Sequence, residues 1–322
     1  MAATPAPDSA PPPAGERLDR ARLALTGLSI GDAFGERCSG YQAMLPQLAA
    51  RRLVPPAPWP YTDDTELALS IFSSLRQHGG IDQDALARSF ADHYDRTRGY
   101  GAGARELLSR IRLGADWRAA ASRLFGGEGS RGNGAAMRVA PVGAYFADDL
   151  AAAVEHARLS AEVTHTHPEG VAGAIAGAVA AAWAWRLRSA PTRPSRADFL
   201  ALVLPHLPPS QVRAGVALAH DLHPSTPVRR AVQLLGNGGH VTAPDTLPFT
   251  LWCAGELLHD YAEALWLTAS GGGDVDTNCA IVGGIVALYV GPEGIPPDWR
   301  QRREPLPAWH DPEAADPPPP TP

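Results

Sequence analysis

Cysteine is scarce in this chain. The 322 residues hold three, Cys38, Cys253 and Cys279, an odd number with no C-x-x-C pair. A disulfide framework is thereby excluded, and free thiols in a reducing cytoplasm are the expectation. Blocks of basic residues are also missing. The net charge is −6, so a nucleic-acid backbone is not an expected partner. No apolar run reaches membrane-spanning length. The most apolar stretch, Gly170 to Trp185, has 16 uncharged residues, mostly Ala and Gly. A buried helix packed through small residues is expected there, and no membrane association. Alternating Val, Ile and Thr long enough for a sheet is absent as well, which points to an all-α fold. Residues 1–15 lack the basic and apolar regions of a signal peptide and read as a disordered Ala/Pro-rich tail. Residues 303–322 are Pro-rich and acidic and read as a second tail. A single helical domain over 16–302 remains.

Two short stretches stand out against this background. Ser270 to Val290 opens with Gly271, Gly272 and Gly273, crowds Asp274, Asp276 and Thr277 into one turn, and continues as an apolar run. Far away in sequence, Thr62-Asp63-Asp64-Thr65-Glu66 follows a proline-rich segment and opens the run Leu67 to Leu75. Helix capping accounts for part of this: Asp and Thr cap free N–H groups, and Asp63 with Glu66 has capping-box spacing. Capping needs one side chain per turn, however, and the adjacent Asp63 and Asp64 repel one another unless a cation lies between them. Together the turns supply four carboxylates and two hydroxyls. These are hard oxygen ligands of the kind that suits Mg²⁺, Mn²⁺ or Ca²⁺. The expectation is a two-metal site built from two facing helix N-termini.

The rest of the chain reads as helices separated by Gly and Pro. A first helix runs from Glu16 to Phe34, with Gly31-Asp32-Ala33-Phe34-Gly35 at its end, where Asp32 either terminates the helix or borders the site. Tyr41 to Pro60 reads as an irregular loop, and Thr65–His78, Gln83–Thr97 and Gly103–Leu113 as helices. Gly126 to Gly134 is a glycine-rich linker or an anion cradle leading into a helical stretch, Ala135 to Phe146. His165 and His167 form a His-x-His pair without further ligands for zinc. Gly236 to Gly239 reads as a plain turn.

Four motifs occur in order: T-D-D-T at Thr62–Thr65, G-N-G-A-A-M-R-V-A-P at Gly132–Pro141, T-H-x-H-P-E-G at Thr164–Gly170 and G-G-D-x-D-T at Gly272–Thr277. With Gly31–Gly35 ahead of them, they resemble the ADP-ribosylglycohydrolase family, whose members include dinitrogenase reductase-activating glycohydrolases. The resemblance implies a compact orthogonal multi-helix bundle. It implies Mg²⁺-dependent hydrolysis of the bond between ADP-ribose and a modified protein side chain, by default arginine and otherwise serine. Two Mg²⁺ ions, or Mn²⁺, would be held by Thr62, Asp63, Asp64, Asp274, Asp276 and Thr277. Gly132, Asn133, Gly134, His165, Gly272 and Gly273 would bind ADP-ribose. Where the family commonly carries a glutamate, four residues beyond Gly35, this chain has Ser39. Glu36, Asp64 and Asp276 are therefore the candidates for catalytic proton transfer. A non-catalytic ADP-ribose-binding relative and a two-metal phosphohydrolase are the alternatives.

Overall fold

A computed structural model describes residues 12–311; the outer parts of both expected tails, 1–11 and 312–322, lie outside the described residues. The described chain has sixteen α-helices, and its only β pairing is two isolated bridges. The all-α expectation therefore holds.

Two helices form the axle of the molecule. The first runs from Ala14 to Ser39 and packs along its length on the helix Val275–Val290. Gly27, Gly31 and Gly35 recur every four residues and so share one face of the first helix. A Cβ added to Gly31 would stand 2.1 Å from the carbonyl oxygen of Cys279, and one on Gly35 would stand 2.6 Å from Asp276 Cα. The helices thus touch backbone to backbone. The expected end of the first helix at Phe34 is corrected by this packing: Gly31 and Gly35 are contact residues inside a continuous helix, not turn residues.

Behind the axle lies the Ala/Gly-rich helix Pro168–Leu187. At 20 residues it extends beyond the 16 uncharged residues read from sequence and is long and apolar enough to cross a membrane, contrary to that expectation. Yet 72% of its most apolar window is buried inside the molecule, as expected of a buried helix. It packs against Leu150–Glu162, Ala140–Tyr145, Ala243–Glu256 and the Val275–Val290 helix. Small residues permit this close approach; a Cβ on Gly143 would lie 1.9 Å from the Ala178 carbonyl oxygen.

Four further expectations change, the first being that the helix expected over Gln83–Thr97 ends at Asp92. The proline-rich segment 41–60 is not wholly irregular, because Leu45–Arg51 forms two turns of helix. The stretch after Gly134 is broken: a 3₁₀ turn at Asn133–Ala135 precedes a six-residue helix, Ala140–Tyr145, so no long helix opens at the glycine loop. Residues 303–311, taken as the start of a tail, pack on the body. Trp59 N–H donates to Arg302 O at 2.7 Å and Glu304 N–H to Trp59 O at 3.0 Å. Trp309 stacks on His93 at 3.5 Å, and the buried Asp311 accepts from Arg22 Nε at 2.7 Å. Segment 59–60 is pinned from the other side by Phe34, which stacks on Trp299 at 4.7 Å and tilts against Trp59 at 5.6 Å.

Candidate active site

Both acidic turns stand at helix starts, one opening the axle helix Val275–Val290 and the other opening Asp63–His78, which packs against the axle. The helix Asp63–His78 begins at Thr62, whose hydroxyl accepts from the Asp64 N–H. The capping box between Asp63 and Glu66 does not form. Glu66 turns away to accept from the Tyr100 hydroxyl at 2.5 Å and the Asp95 N–H at 3.0 Å. Its place is taken by Asp32 from the first helix. One carboxylate oxygen of the fully buried Asp32 accepts from Thr62 N–H (2.9 Å), Thr65 N–H (3.1 Å) and Thr65 Oγ1 (2.5 Å), and the other faces Thr62 Oγ1 at 2.9 Å. Asp32 thus satisfies free N–H groups that open the second helix. The turn is fastened outside as well. Asp63 N–H donates to Arg98 O at 2.8 Å, Tyr61 N–H donates to Glu304 Oε1 at 2.8 Å, and Arg98 pairs with Glu304.

The other turn is tied down by amides. Gly272 and Gly273 have φ of +65° and +76°, a left-handed conformation that favours glycine. A Cβ on Gly273 would lie 2.0 Å from the Asn237 carbonyl oxygen. That same oxygen accepts from Asn278 Nδ2 at 2.7 Å, while Asn237 Nδ2 donates to Gly271 O at 2.9 Å. The turn at Gly236–Gly239, plain by sequence, is thus the brace of the acidic loop. Asn133 Nδ2 donates to Asp274 at 2.7 Å and to Thr246 Oγ1 at 3.1 Å, joining the glycine loop to the same cluster.

The two turns meet. Thr277 Oγ1 lies 3.5 Å from Asp64 Oδ2. Glu36, half-buried on the first helix one residue past Gly35, faces the same charge cluster. His165 is buried against the glycine loop, its Nε2 being 3.2 Å from where Cβ atoms on Gly132 and Gly134 would sit. Every candidate residue named from sequence is therefore gathered into one region. Ser39, by contrast, spends its hydroxyl on the Gly35 carbonyl at 3.1 Å, within its own helix.

Burial and mutual repulsion set the electrostatics. Burial first, and then the neighbouring carboxylates Asp32 and Asp276, raise Asp63 and Asp64 well above the usual carboxylate range. Burial likewise pushes Asp32 and Asp274 up to about 7, with Asp276 adding to each shift. Glu36 is raised by burial and by Asp276, against an opposing pull from Arg37. The buried Asp64 Oδ1 has no hydrogen-bond partner. The Thr62 hydroxyl lies 2.9 Å from Asp32 Oδ1 and 3.0 Å from Asp64 Oδ2, but carries one hydrogen for the two. A set of buried carboxylates this close is stable only when protonated or neutralised by a cation. As the side chains lie, no three His, Cys, Asp or Glu among the described residues close on one point as a formed metal cage. The set includes hydroxyls as well as carboxylates, and hydrogen bonds from Thr62, Thr65 and Asn133 offset the upward shifts of Asp32 and Asp274 only in part.

Sequence reasoning missed Asn237 and Asn278, because a Gly-Asn-Gly-Gly turn and an Asn inside an apolar helix carry no signal until they are juxtaposed. It also missed Arg138, which is fully buried beneath the glycine loop.

Comparison with known proteins adds an independent line. The ADP-ribosylglycohydrolase family profile matches residues 13–315. The ADP-ribosylhydrolase ARH3 of Bos taurus is 29% identical, over 90% of this chain and 90% of its own; the human ARH3 is 28% identical, over 90% and 91%. An ADP-ribosylarginine hydrolase, Tri1 of Pseudomonas putida, is 25% identical, over 89% of this chain and 75% of its own. A solved structure described as an ADP-ribosylglycohydrolase-related protein complex superimposes with a TM-score of 0.61 and 29% identity, covering 88% of this chain and 92% of that one. Family profile, relatives and helical architecture agree, and the chain belongs to the ADP-ribosylglycohydrolase family, the glycohydrolases of ADP-ribose linkages.

Proposed function

We propose that this protein removes ADP-ribose from modified arginine side chains of proteins in a reducing, cytoplasmic setting, and that it does so at a binuclear divalent-metal site between the two acidic turns. One observation carries the reading: two acidic helix N-termini converge, leaving a buried carboxylate oxygen, Asp64 Oδ1, without a partner. The donor chemistry fits hard cations, all of it being carboxylate or hydroxyl oxygen, with Mg²⁺ and Mn²⁺ equally suited. Thr62, Asp63, Asp64, Asp274, Asp276 and Thr277 would hold the ions, which when bound would supply Lewis acidity beside the ribose hydroxyls.

The chain's own residues do the remaining work. Asp32 and the three asparagines hold the two turns in fixed register, so the bound sugar meets a preorganised surface. Gly132 and Gly134 let the loop close on His165, which a Cβ at either position would approach to 3.2 Å or less, and Asn133 fixes Asp274. Hydrolysis requires water oxygen to bond to the anomeric carbon while the bond from that carbon to the guanidine nitrogen breaks. One water proton goes to a carboxylate and a proton is delivered to the leaving nitrogen. We assign this exchange to Glu36. Burial and the neighbouring Asp276 raise its pKa, the direction that favours a carboxyl group able to give a proton. Glu36 also lines a cleft of about 310 Å³ with Arg37, Gly40, Tyr41 and Pro60. Arginine as the acceptor is supported by the arginine linkage in the name of the Pseudomonas relative.

The test is mass spectrometry of products from ADP-ribosyl-arginine and ADP-ribosyl-serine peptides, each with Mg²⁺, Mn²⁺ or chelator. Metal-dependent release of intact ADP-ribose from the arginine peptide is expected. Release from the serine peptide alone would overturn the acceptor, AMP would indicate a phosphohydrolase, and no product despite ADP-ribose binding would make the protein a reader.

A further inference from the structure

Beneath the glycine loop lies a chain of hydrogen bonds that the mechanism above does not use. Arg138, fully buried, donates from Nη1 to Gly134 O at 3.1 Å. Its Nη2 donates to Ser160 O at 3.0 Å and to Thr164 Oγ1 at 2.8 Å, and its guanidinium rests on the Phe90 ring at 4.6 Å. Thr164 Oγ1 in turn lies 2.7 Å from His165 Nδ1. The direction of this last bond follows from the donor inventory. A guanidinium offers hydrogens and accepts none, so Thr164 Oγ1 is the acceptor toward Arg138 and keeps its own hydrogen free. Among the described residues that hydrogen has one acceptor within reach, the His165 Nδ1 lone pair. Nδ1 is then unprotonated, and a neutral imidazole must carry its proton on Nε2. The ring is kept neutral: burial, with Arg138 adding to it, lowers its pKa to about 3. Nε2 is the nitrogen that faces the gap between Gly132 and Gly134, at 3.2 Å from both notional Cβ positions.

We infer that Arg138 and Thr164 are positioning residues that lock His165 as its Nε2–H tautomer, so that the imidazole presents one fixed, neutral donor across the Gly132–Gly134 turn to an acceptor oxygen of the bound ADP-ribose. The inference rests on the ADP-ribosyl reading of the site for the ligand, but not for the tautomer, which is a property of the free protein. The arrangement supplies hydrogen bonding to an anion without placing a second positive charge near the acidic cluster. Arg138 also grips the Gly134 carbonyl, so the donor and the loop it serves are held by one side chain.

The experiment is a long-range ¹H–¹⁵N correlation spectrum of the ligand-free, ¹⁵N-labelled protein, with His165 assigned by its loss in His165→Gln. A pyridine-type Nδ1 and a pyrrole-type Nε2, unchanged between pH 6 and pH 8, are expected. Thr164→Val removes the hydroxyl at nearly constant shape. It should release the tautomer into a mixture and weaken ADP-ribose binding about tenfold, the worth of one hydrogen bond to a charged partner. Thr164→Ser should restore both properties, which a purely packing role for Thr164 would not require. A native spectrum showing Nδ1–H or a mixture overturns the inference, and needs no variant to fold. So does a Thr164→Val protein that keeps the native tautomer, or one that loses it while retaining native affinity. Failure of the native protein to bind ADP-ribose would instead sink the functional reading, with the spectrum still deciding the relay.

Discussion

The two acidic turns meet at one cluster and are held in opposite ways. Thr62–Thr65 is fixed by carboxylates: Asp32 accepts its N–H and hydroxyl groups from within, and Glu304 accepts from Tyr61 outside. Gly271–Thr277 is fixed by neutral amides, with Asn133, Asn237 and Asn278 reaching it from three parts of the chain. The first turn is mostly buried and contains no glycine; the second is more exposed and depends on two left-handed glycines. The difference follows from charge. A turn that already carries Asp63, Asp64 and the Asp32 behind them gathers its negative charge in the interior, whereas bracing the second with amides adds no further charge. The structure thus limits the repulsion it must bear before any cation binds.

The widest disruption would come from the part both turns share. Gly31→Ala forces a Cβ to within 2.1 Å of a backbone carbonyl on the axle. A loss of about 3 kcal/mol or more is expected, at the upper end for overpacking, read as a fall in the urea midpoint together with loss of activity. Breaking the first turn alone should be milder. Asp32→Ala strips acceptors from Thr62 and Thr65 and should cost about 2–4 kcal/mol, one to two unsatisfied buried groups, with metal-dependent stabilisation lost. Asp32→Asn sharpens the point: one oxygen keeps its donors while the new amide donates to Thr62 Oγ1, so most of the stability should return. A urea titration of the two variants distinguishes hydrogen bonding from charge as the role of Asp32. The second turn should yield least. Asn133→Ala removes the 2.7 Å bond to Asp274 and the 3.1 Å bond to Thr246. About a tenfold loss of metal affinity is expected, as for other outer partners of metal ligands, with little change in midpoint; calorimetric metal titration measures it.

Much of this was legible in the sequence, and the illegible parts share a cause. Helices and acidic turns announce themselves through local spacing, as Leu67, Ile71 and Leu75 do on the Asp63–His78 helix. Gly31 and Gly35 mislead because a glycine between apolar residues reads as a break; only Cys279 and Asp276, more than 240 positions away, make them contact residues. Asn237 hides in a turn whose composition is ordinary. Residues 303–311 look like a tail because proline and acidic residues dominate, whereas Glu304 and Asp311 earn their place through distant partners. In each case the deciding contact lies elsewhere in the chain, where local patterns do not reach.

The most direct measurement is the rise in Tm that Mg²⁺ produces at pH 6 and at pH 8. Burial lifts Asp32 and Asp274 from an ordinary value of 3.8 to about 7, and Asp63 and Asp64 rise also. Between about pH 4 and pH 7 the folded protein therefore keeps protons that the unfolded chain has released. That contribution to stability is present at low pH and is lost as pH rises through 7. Cations replace those protons, and Asp274, lifted to about 7, competes with Mg²⁺ for its proton more at pH 6 than at pH 8. The buried histidines shift stability equally with and without metal and cancel in the difference. A Tm rise that is larger at pH 8, and absent in Asp276→Ala, is the predicted result. No rise at either pH, or a rise that survives in Asp276→Ala, would contradict a site shared between the two acidic turns.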